Sequence, residues 1–214
     1  LLRWYAPEER VHGRQTGALN DATAGGVKGA WLALAIYLCP RHSDAPTMIV
    51  QDPNRVPLSP AQKARRINQN PDLYGTFAEI GAGQETVRHF FRAGGASQTI
   101  AKAMSAYDKD FSNAIYGPEP GNRFVCESRL KNMLRHEYGL IIDRLDRKEH
   151  PTKRFFSFAN TVAASTFERM HSGHGWLGVR FQTQPDLPTN DVIIHVRLHD
   201  PDISLQQEAI GVLG

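Results

Sequence analysis

The sequence predicts an α+β fold in which helices are followed by a small antiparallel sheet. Residues 127–148 carry apolar side chains at helical spacing, and residues 176–183 and 191–199 alternate apolar and polar side chains as strands do. Five prolines between residues 40 and 60 interrupt regular structure, because proline lacks a backbone donor. We therefore expect an irregular, proline-rich arm over residues 1–60, with one short apolar helix, and an α+β domain over residues 61–214.

The first half of the domain is predicted to begin with short elements. These are a strand over residues 73–80 and helices over residues 84–93 and 97–107. The second helix is predicted because Ile100, Met104 and Tyr107 recur at i, i+4 and i+7.

The second half is predicted to hold one long helix and then three strands. The apolar stripe of the helix over residues 127–148 consists of Leu130, Leu134, Tyr138, Ile141 and Leu145. The strands are expected over residues 155–163, 176–183 and 191–199, with a loose hairpin between the last two. Ser204 and Gln207 have the spacing of a capping box, so a further helix is expected to start there. Because Gly214 falls within its first turns, we expect the domain to be truncated at the C-terminus.

Composition excludes several classes of protein. Hydrophobic residues make up 41% and charged residues 22%, which is ordinary for a globular chain and excludes a disordered tail or a collagen-like fibre. The net charge is +3, and the segments 1–60, 61–150 and 151–214 carry +1, +3 and −1. No segment concentrates positive charge, so a nucleic-acid partner is not predicted.

The arm contains the longest apolar run, at residues 30–39. It is about half the length that a membrane span requires, so no crossing is predicted, although peripheral association with a membrane complex fits it. Trp31, Leu34 and Tyr37 of this run are candidate docking residues for a larger protein complex. The two cysteines, Cys39 and Cys126, form no disulfide framework, which favours a reducing compartment.

A glycine-rich turn at residues 81–83 lies between a predicted strand and a predicted helix. Glycines let a backbone approach a phosphate, and the amides at a helix N-terminus face an anion, so Gly81, Gly83 and Arg88 are candidates for phosphate binding. Thr86 stands where the dinucleotide-binding motif has its third glycine. We therefore interpret the turn first as structural and second as a phosphate site.

His171 and His174 belong to an H-x-G-H sequence of the kind that nucleotidylyltransferases use to stabilise a transferred phosphoryl group. Those enzymes place a helix after the histidines, whereas residues 176–183 have the period of a strand, so this activity is not assigned. His195 and His199 lie about 13 Å apart if they share a strand face. No metal site is predicted.

The last two strands are predicted to share a polar face. It comprises Trp176, Arg180 and Gln182 on one strand and His195, Arg197 and His199 on the next. Together with His174, these arginines and histidines are candidates for holding an anionic ligand or an acidic partner, because guanidinium groups bind carboxylates and phosphates in bidentate fashion. Trp176 is a further candidate for partner docking. We favour the alternative interpretation, in which these side chains form no binding site and the sheet face is covered by solvent or by the long helix.

Residues 65–214 resemble an uncharacterised protein family of bacteria and plastid-bearing eukaryotes. The shared segments include residues 70–85 (NPDLYGTFAEIGAGQE), 105–108 (SAYD), 173–182 (GHGWLGVRFQ) and 193–197 (IIHVR). Members carry the labels TonB-dependent receptor or nicotinate-nucleotide adenylyltransferase. A receptor barrel needs many lipid-facing strands, of which two or three are readable here. The resemblance implies no catalytic residue, and it implies that members continue past Gly214.

Two functions follow as hypotheses. The first is a non-catalytic accessory subunit docked on a larger organellar assembly, a photosynthetic one if the compartment is a plastid, with the cytoplasm as the other location and with no cofactor. The alternative is an enzyme that binds a nucleotide or a phosphorylated metabolite at the Gly81–Gly83 turn.

Overall fold

Five strands pair into one mixed sheet, and this computed structural model describes residues 57–145, 148–165 and 173–214. The strands are β1 (Leu73–Gly81), β2 (Ile100–Ala106), β3 (Arg154–Ala163), β4 (Gly173–Phe181) and β5 (Asn190–Leu198). The α-helices in these ranges are α1 (Pro60–Asn68), α2 (Thr86–Ala93), α3 (Lys109–Tyr116), α4 (Glu127–Arg144) and α5 (Ile203–Leu213). The predicted α+β class is confirmed.

The strand order is β2-β1-β3-β4-β5. The predicted antiparallel unit is formed by β3, β4 and β5, and β1 extends it by pairing in parallel with both β3 and β2. Because β1, β2 and β3 run in one direction, their carboxyl ends meet at one edge of the sheet. We call this the carboxyl edge.

Helices cover both faces of the sheet, and side chains alternate between those faces along each strand. Ala78, Ile80 and Ala159 pack with Leu130 and Leu134 of α4 on what we call the α4 face. The opposite face, which we call the α2 face, carries a second cluster built from three helices and the sheet. Its members include Ala64, Phe77, Phe90, Phe158, Leu177 and Ile210.

The long helix α4 is held by the stripe that the sequence predicts. Leu130 and Leu134 are fully buried, and Tyr138 and Ile141 are nearly so. Gly178 lets the helix approach, since a Cβ there would lie 3.1 Å from both leucines. The helix ends at Arg144, four residues before the predicted end.

A buried carboxylate ties α4 to its neighbours. Glu137 is fully buried, and its carboxylate lies 2.6 Å from the Lys102 ammonium of β2. It also accepts hydrogen bonds from the Tyr116 hydroxyl at 2.8 Å and the Thr76 hydroxyl at 3.3 Å. Burial, with the Glu137 charge, raises the pKa of Tyr116, so this phenol stays a donor. A buried charge of this kind is stable only when it is paired in this way.

The helix predicted over residues 97–107 is wrong. A 3₁₀ turn at Ala96–Gln98 is followed by strand β2, in which inward and outward side chains alternate. Ile100 and Met104 have helical spacing, but in the structure Ile100 packs against the α2-face cluster and Met104 against the α4-face cluster, because the pairing with β1 shifts register between Gly75 and Thr76. Parallel pairing with β1 favours the strand over the helix, and Tyr107 lies beyond the strand, 74% exposed.

Two helix starts also differ from the sequence interpretation. Helix α1 was not predicted, because it buries only Ala64 and Asn68; its N-terminus carries a capping box between Ser59 and Gln62. Helix α5 begins before Ser204: the Asp202 side chain is the N-cap and accepts from the Ser204 amide at 2.7 Å. Asp202 therefore caps the helix, in place of the Ser204 cap that the sequence predicts.

No helix within the described ranges has the length and apolar composition that a bilayer crossing needs. The apolar run at residues 30–39, with Trp31, Leu34 and Tyr37, lies outside the described residues.

Packing of α4 on the sheet predicts a contrast between two of its residues. Leu130→Ala should lower the free energy of unfolding by about 2–5 kcal/mol, because it leaves a cavity in a closed core. Ile142→Ala on the same helix, where the side chain is 45% exposed, should change it by less than about 0.5 kcal/mol. Urea unfolding followed by circular dichroism measures both values. Equal losses would contradict this packing.

Candidate functional site

Strand register brings several predicted site residues to the carboxyl edge. Ala163 at the end of β3 is opposite His174 on β4, and His174 is opposite Arg197 on β5. One row below, Trp176 is opposite His195. Side chains two apart on a strand share a face, so these four side chains form one surface.

We call His174, Trp176, His195 and Arg197 the histidine–arginine cluster. The Trp176 and His195 rings stack, with centroids 4.5 Å apart and an angle of 30°. The His174 and His195 rings meet edge to face, with centroids 5.9 Å apart. Trp176 packs against the core under α4, so the cluster lies on the α4 face. Three aromatic rings and one guanidinium thus stand side by side at the carboxyl edge.

The segment that leads into α4 adds a second cation. The Thr161 hydroxyl donates to the Phe124 carbonyl oxygen at 2.7 Å, and Thr161 is opposite Trp176 in the sheet. This hydrogen bond holds the segment beside the cluster, and the neighbouring Arg123 is close enough to act electrostatically on His174.

Both imidazoles of the cluster are less basic than an isolated histidine. Burial lowers the pKa of His174, and the positive charges of His195, Arg197 and Arg123 lower it further. Burial and then Arg197 lower the pKa of His195. At pH 7 each ring is therefore neutral, with one N–H donor and one acceptor nitrogen, beside arginines that stay charged.

Two other members of the predicted polar face are engaged elsewhere. Arg180 binds Asp191 through Nε and a terminal nitrogen, each at 2.7 Å. Gln182 is buried: its amide donates to the Leu187 carbonyl oxygen and accepts from the Phe155 amide. His199 lies in the exposed segment after β5. The predicted polar face is therefore reduced to the four residues of the histidine–arginine cluster.

The glycine turn at residues 81–83 is packed tightly against β3. Gly81 has φ +73°, and a Cβ there would lie 2.2 Å from the Val162 carbonyl oxygen. A Cβ at Gly83 would lie 2.1 Å from the side-chain oxygen of Asn160. The Asn160 amide donates to the Gly83 carbonyl oxygen at 2.8 Å, so this close approach is built into the turn.

A buried carboxylate occupies the N-terminus of α2, where a phosphate would be expected. Glu79 is 2% exposed, and its Oε1 accepts from the Thr86 amide at 3.0 Å and from the Asn160 side chain at 3.1 Å. Burial raises the pKa of Glu79 to about 7, against the opposing effect of these hydrogen bonds. The Glu79 side chain therefore satisfies a backbone donor of this helix terminus that a phosphate would otherwise bind.

Arg88 lies on α2 and pairs with Glu85, at 2.6 Å. Gly81, Gly83 and Arg88 belong to the region of Glu79 and Asn160 on the α2 face, whereas the histidine–arginine cluster lies on the α4 face. The candidates thus divide into two groups on opposite faces of the sheet.

Sequence reasoning missed Glu79 and Asn160. Glu79 lies between Ala78 and Ile80 in a buried part of β1, and Asn160 follows Ala159 in a buried part of β3; a carboxyl or amide side chain within a buried strand is the signal that indicates such a network. His171 lies outside the described residues. Among the described residues, no group of three histidine, cysteine or acidic side chains is placed to hold a metal ion.

A separate, largely apolar cavity of about 490 Å³ lies on the α2 face. Its lining includes Phe77, Phe90, Phe156, Phe158, Leu177 and Val179. Arg154 is the one charged side chain among its described lining residues, which include no carboxylate, histidine or thiol. The cavity is therefore not the candidate site for chemistry.

No family model matches the sequence, and no curated protein matches it. Solved structures of bacterial proteins are similar to it. The competence damage-inducible protein A (ComA) of Klebsiella pneumoniae is 12% identical, with a TM-score of 0.50 over 71% of this chain and 87% of that chain. The competence/damage inducible protein CihA of Agrobacterium tumefaciens is 15% identical, with a TM-score of 0.49 over 73% and 94%. At such identities the likeness concerns the fold alone.

The comparison corrects the predicted function. The interpretation as a non-catalytic accessory subunit of a plastid photosynthetic assembly is wrong, because the fold is similar to that of a bacterial competence damage-inducible protein. A plastid location has no support in the match to the Klebsiella pneumoniae protein. The matches do not confirm the labels TonB-dependent receptor or nicotinate-nucleotide adenylyltransferase either.

The close approach at the glycine turn predicts opposite effects at two glycines. Gly83→Ala should destabilise the protein by about 1–3 kcal/mol, because its Cβ collides with Asn160. Gly139→Ala should stabilise it by up to about 1 kcal/mol, since that helical position has open space. Chemical denaturation measures both changes. A neutral Gly83→Ala would show that the turn is not held in this way.

The buried Glu79 predicts a pH dependence of stability. Its folded pKa of about 7 exceeds the ordinary 4.5, so the folded state keeps a proton that the unfolded state releases. The free energy of unfolding should therefore fall by about 3 kcal/mol as the pH rises from 4.5 past 7. Glu79→Gln should flatten this dependence, and the exposed Glu208→Gln should leave it intact. Parallel profiles for wild type and Glu79→Gln would contradict the assignment.

Proposed function

We propose that this protein binds a nucleotide or another phosphorylated metabolite at the histidine–arginine cluster. The observation that carries the proposal is that strand register places His174 opposite Arg197, and Trp176 opposite His195, at the carboxyl edge of a sheet with parallel strands. Open α/β sheets bind ligands outside the carboxyl ends of their strands.

Each part of the cluster has a chemical role in this proposal. Arg197 holds the phosphate, with Arg123 as a second cation that acts on His174, because guanidinium groups bind phosphate oxygens in bidentate fashion. His195, stacked on Trp176, offers a ring against which a planar group of the ligand packs. His174 and His195 are neutral at pH 7 without a ligand, and the imidazole that stays neutral in the complex is in the state that a general base requires.

The same residues support an enzyme more than a passive scaffold. A neutral imidazole with two cations nearby is the arrangement in which a proton is accepted while developing negative charge is stabilised. Cys126 is a free thiol, which fits a reducing compartment such as the cytoplasm. The nucleotide is the ligand in this proposal, and no resident cofactor is assigned.

Thermal unfolding with adenosine 5′-monophosphate tests the proposal. A ligand that binds the folded state at about 100 times its Kd adds about 2.7 kcal/mol to the free energy of unfolding, so Tm should rise. Arg197→Ala should abolish the rise. Arg88→Ala, on the opposite face, should preserve it.

The two arginine variants also locate the site. If Arg88→Ala abolishes the rise in Tm and Arg197→Ala does not, the ligand binds at the glycine turn. If neither adenosine 5′-monophosphate nor inorganic phosphate raises Tm of the wild type, the proposed function fails.

A further inference from the structure

The charges that surround the histidine–arginine cluster are all positive within the described part of the chain. On β5 the group beside the two imidazoles is Arg197, and Arg123 approaches from the segment before α4. The neighbouring strand β3 contributes the uncharged Thr161 and Ala163. Among the described residues, the cluster thus holds cations, and no carboxylate acts on either imidazole.

Two acidic side chains of the flanking elements are paired with other cations. Asp191, four residues before His195 on β5, holds Arg180. Glu127, in the first turn of α4, pairs with Lys131 at 2.5 Å. Residues four apart on a strand are about 13 Å apart, so Asp191 is too distant to serve the imidazoles.

Protonation of either imidazole in this cluster is unfavourable when no anion is bound. The two imidazole rings are 5.9 Å apart between centroids, and a charge on one opposes a charge on the other. Arg197, which is permanently charged, also acts electrostatically on each ring. A dianion bound among these groups makes protonation of an imidazole favourable, because its negative charge attracts the added proton as well as the arginines that repel that proton.

We infer that the cluster binds a doubly charged anion, such as a terminal phosphoryl group, together with one proton taken up by His174 or His195. The proton comes from solvent and goes to the free ring nitrogen, which then donates a hydrogen bond to an anion oxygen. No bond of the ligand is broken. This inference rests on the proposed function and specifies the ligand class.

Selectivity follows from the charge balance. A phosphodiester carries one negative charge and recovers less of the cost of protonating the cluster than a phosphomonoester does. The site should therefore discriminate against the backbone of nucleic acids. Its affinity for a dianion should rise by up to about tenfold for each unit of pH decrease while one proton is taken up.

Sulfate is the probe that isolates this effect, since it stays doubly charged between pH 6 and 8. Calorimetric titration of the full chain in two buffers of different ionisation enthalpy measures the protons taken up per sulfate bound. We expect a value approaching one proton and tighter binding at pH 6 than at pH 8. The double variant H174Q/H195Q should bind sulfate more weakly with no proton uptake, and His89→Gln, on α2, should behave as wild type.

The outcomes separate this inference from the proposed function. Sulfate or nucleotide binding that needs Arg197 but takes up no proton overturns the inference and leaves the function standing. Failure to bind sulfate, phosphate or nucleotide at any pH overturns both. If the double variant does not fold, as judged by circular dichroism, the single variants H174Q and H195Q serve instead. Proton uptake unchanged in both of them overturns the inference, as does equal affinity for dimethyl phosphate and methyl phosphate.

Discussion

The carboxylate of Glu79 at the N-terminus of α2 is the interaction on which the architecture of the carboxyl edge depends. It is buried between β1, β3 and α2, and its Oε1 accepts hydrogen bonds from the Thr86 amide and the Asn160 side chain. Asn160 also holds the carbonyl oxygen of Gly83, so a single contact set connects two strands and a helix. A buried acid is tolerated there because its acceptors are satisfied and because it takes up a proton near neutral pH.

This use of Glu79 changes what the glycine turn can do. A helix N-terminus attracts anions because its first amides lack partners within the helix. In this chain an internal carboxylate meets that need, and the glycines serve the close approach to β3. The positive charge that remains for a ligand lies on the other face of the sheet, where His174 and His195 stand beside Arg197. The fold shared with bacterial competence damage-inducible proteins therefore says little about which residues act here, since site chemistry is set by side chains.

Most strands and the long helix were predictable, because their apolar residues are β-branched or aromatic or recur at strand or helix spacing. The stripe of α4 and the alternation of β5 are read correctly from the sequence, and so is the antiparallel unit. The failures have a common physical cause. Ile100 and Met104 have helical spacing although they pack on opposite faces of the sheet, and α1 buries too few side chains to produce an apolar pattern. Strand β2 forms because it pairs with β1, and helix α1 is held by its packing on α2. Neither interaction is visible in the local sequence pattern.

The sequence by itself determined the α+β class, the candidate glycines and the set of polar residues on the last two strands, because these depend on composition and on short-range periodicity. Tertiary structure alone decided how those residues are divided. Register places His174 opposite Arg197 and Arg180 opposite Asp191, so one arginine is left for a ligand and the other is neutralised. Glu79 meets Asn160 across 81 residues of chain, a contact that no local pattern contains. Long-range pairing brings such groups together, and charge and burial then determine which of them remain free to bind.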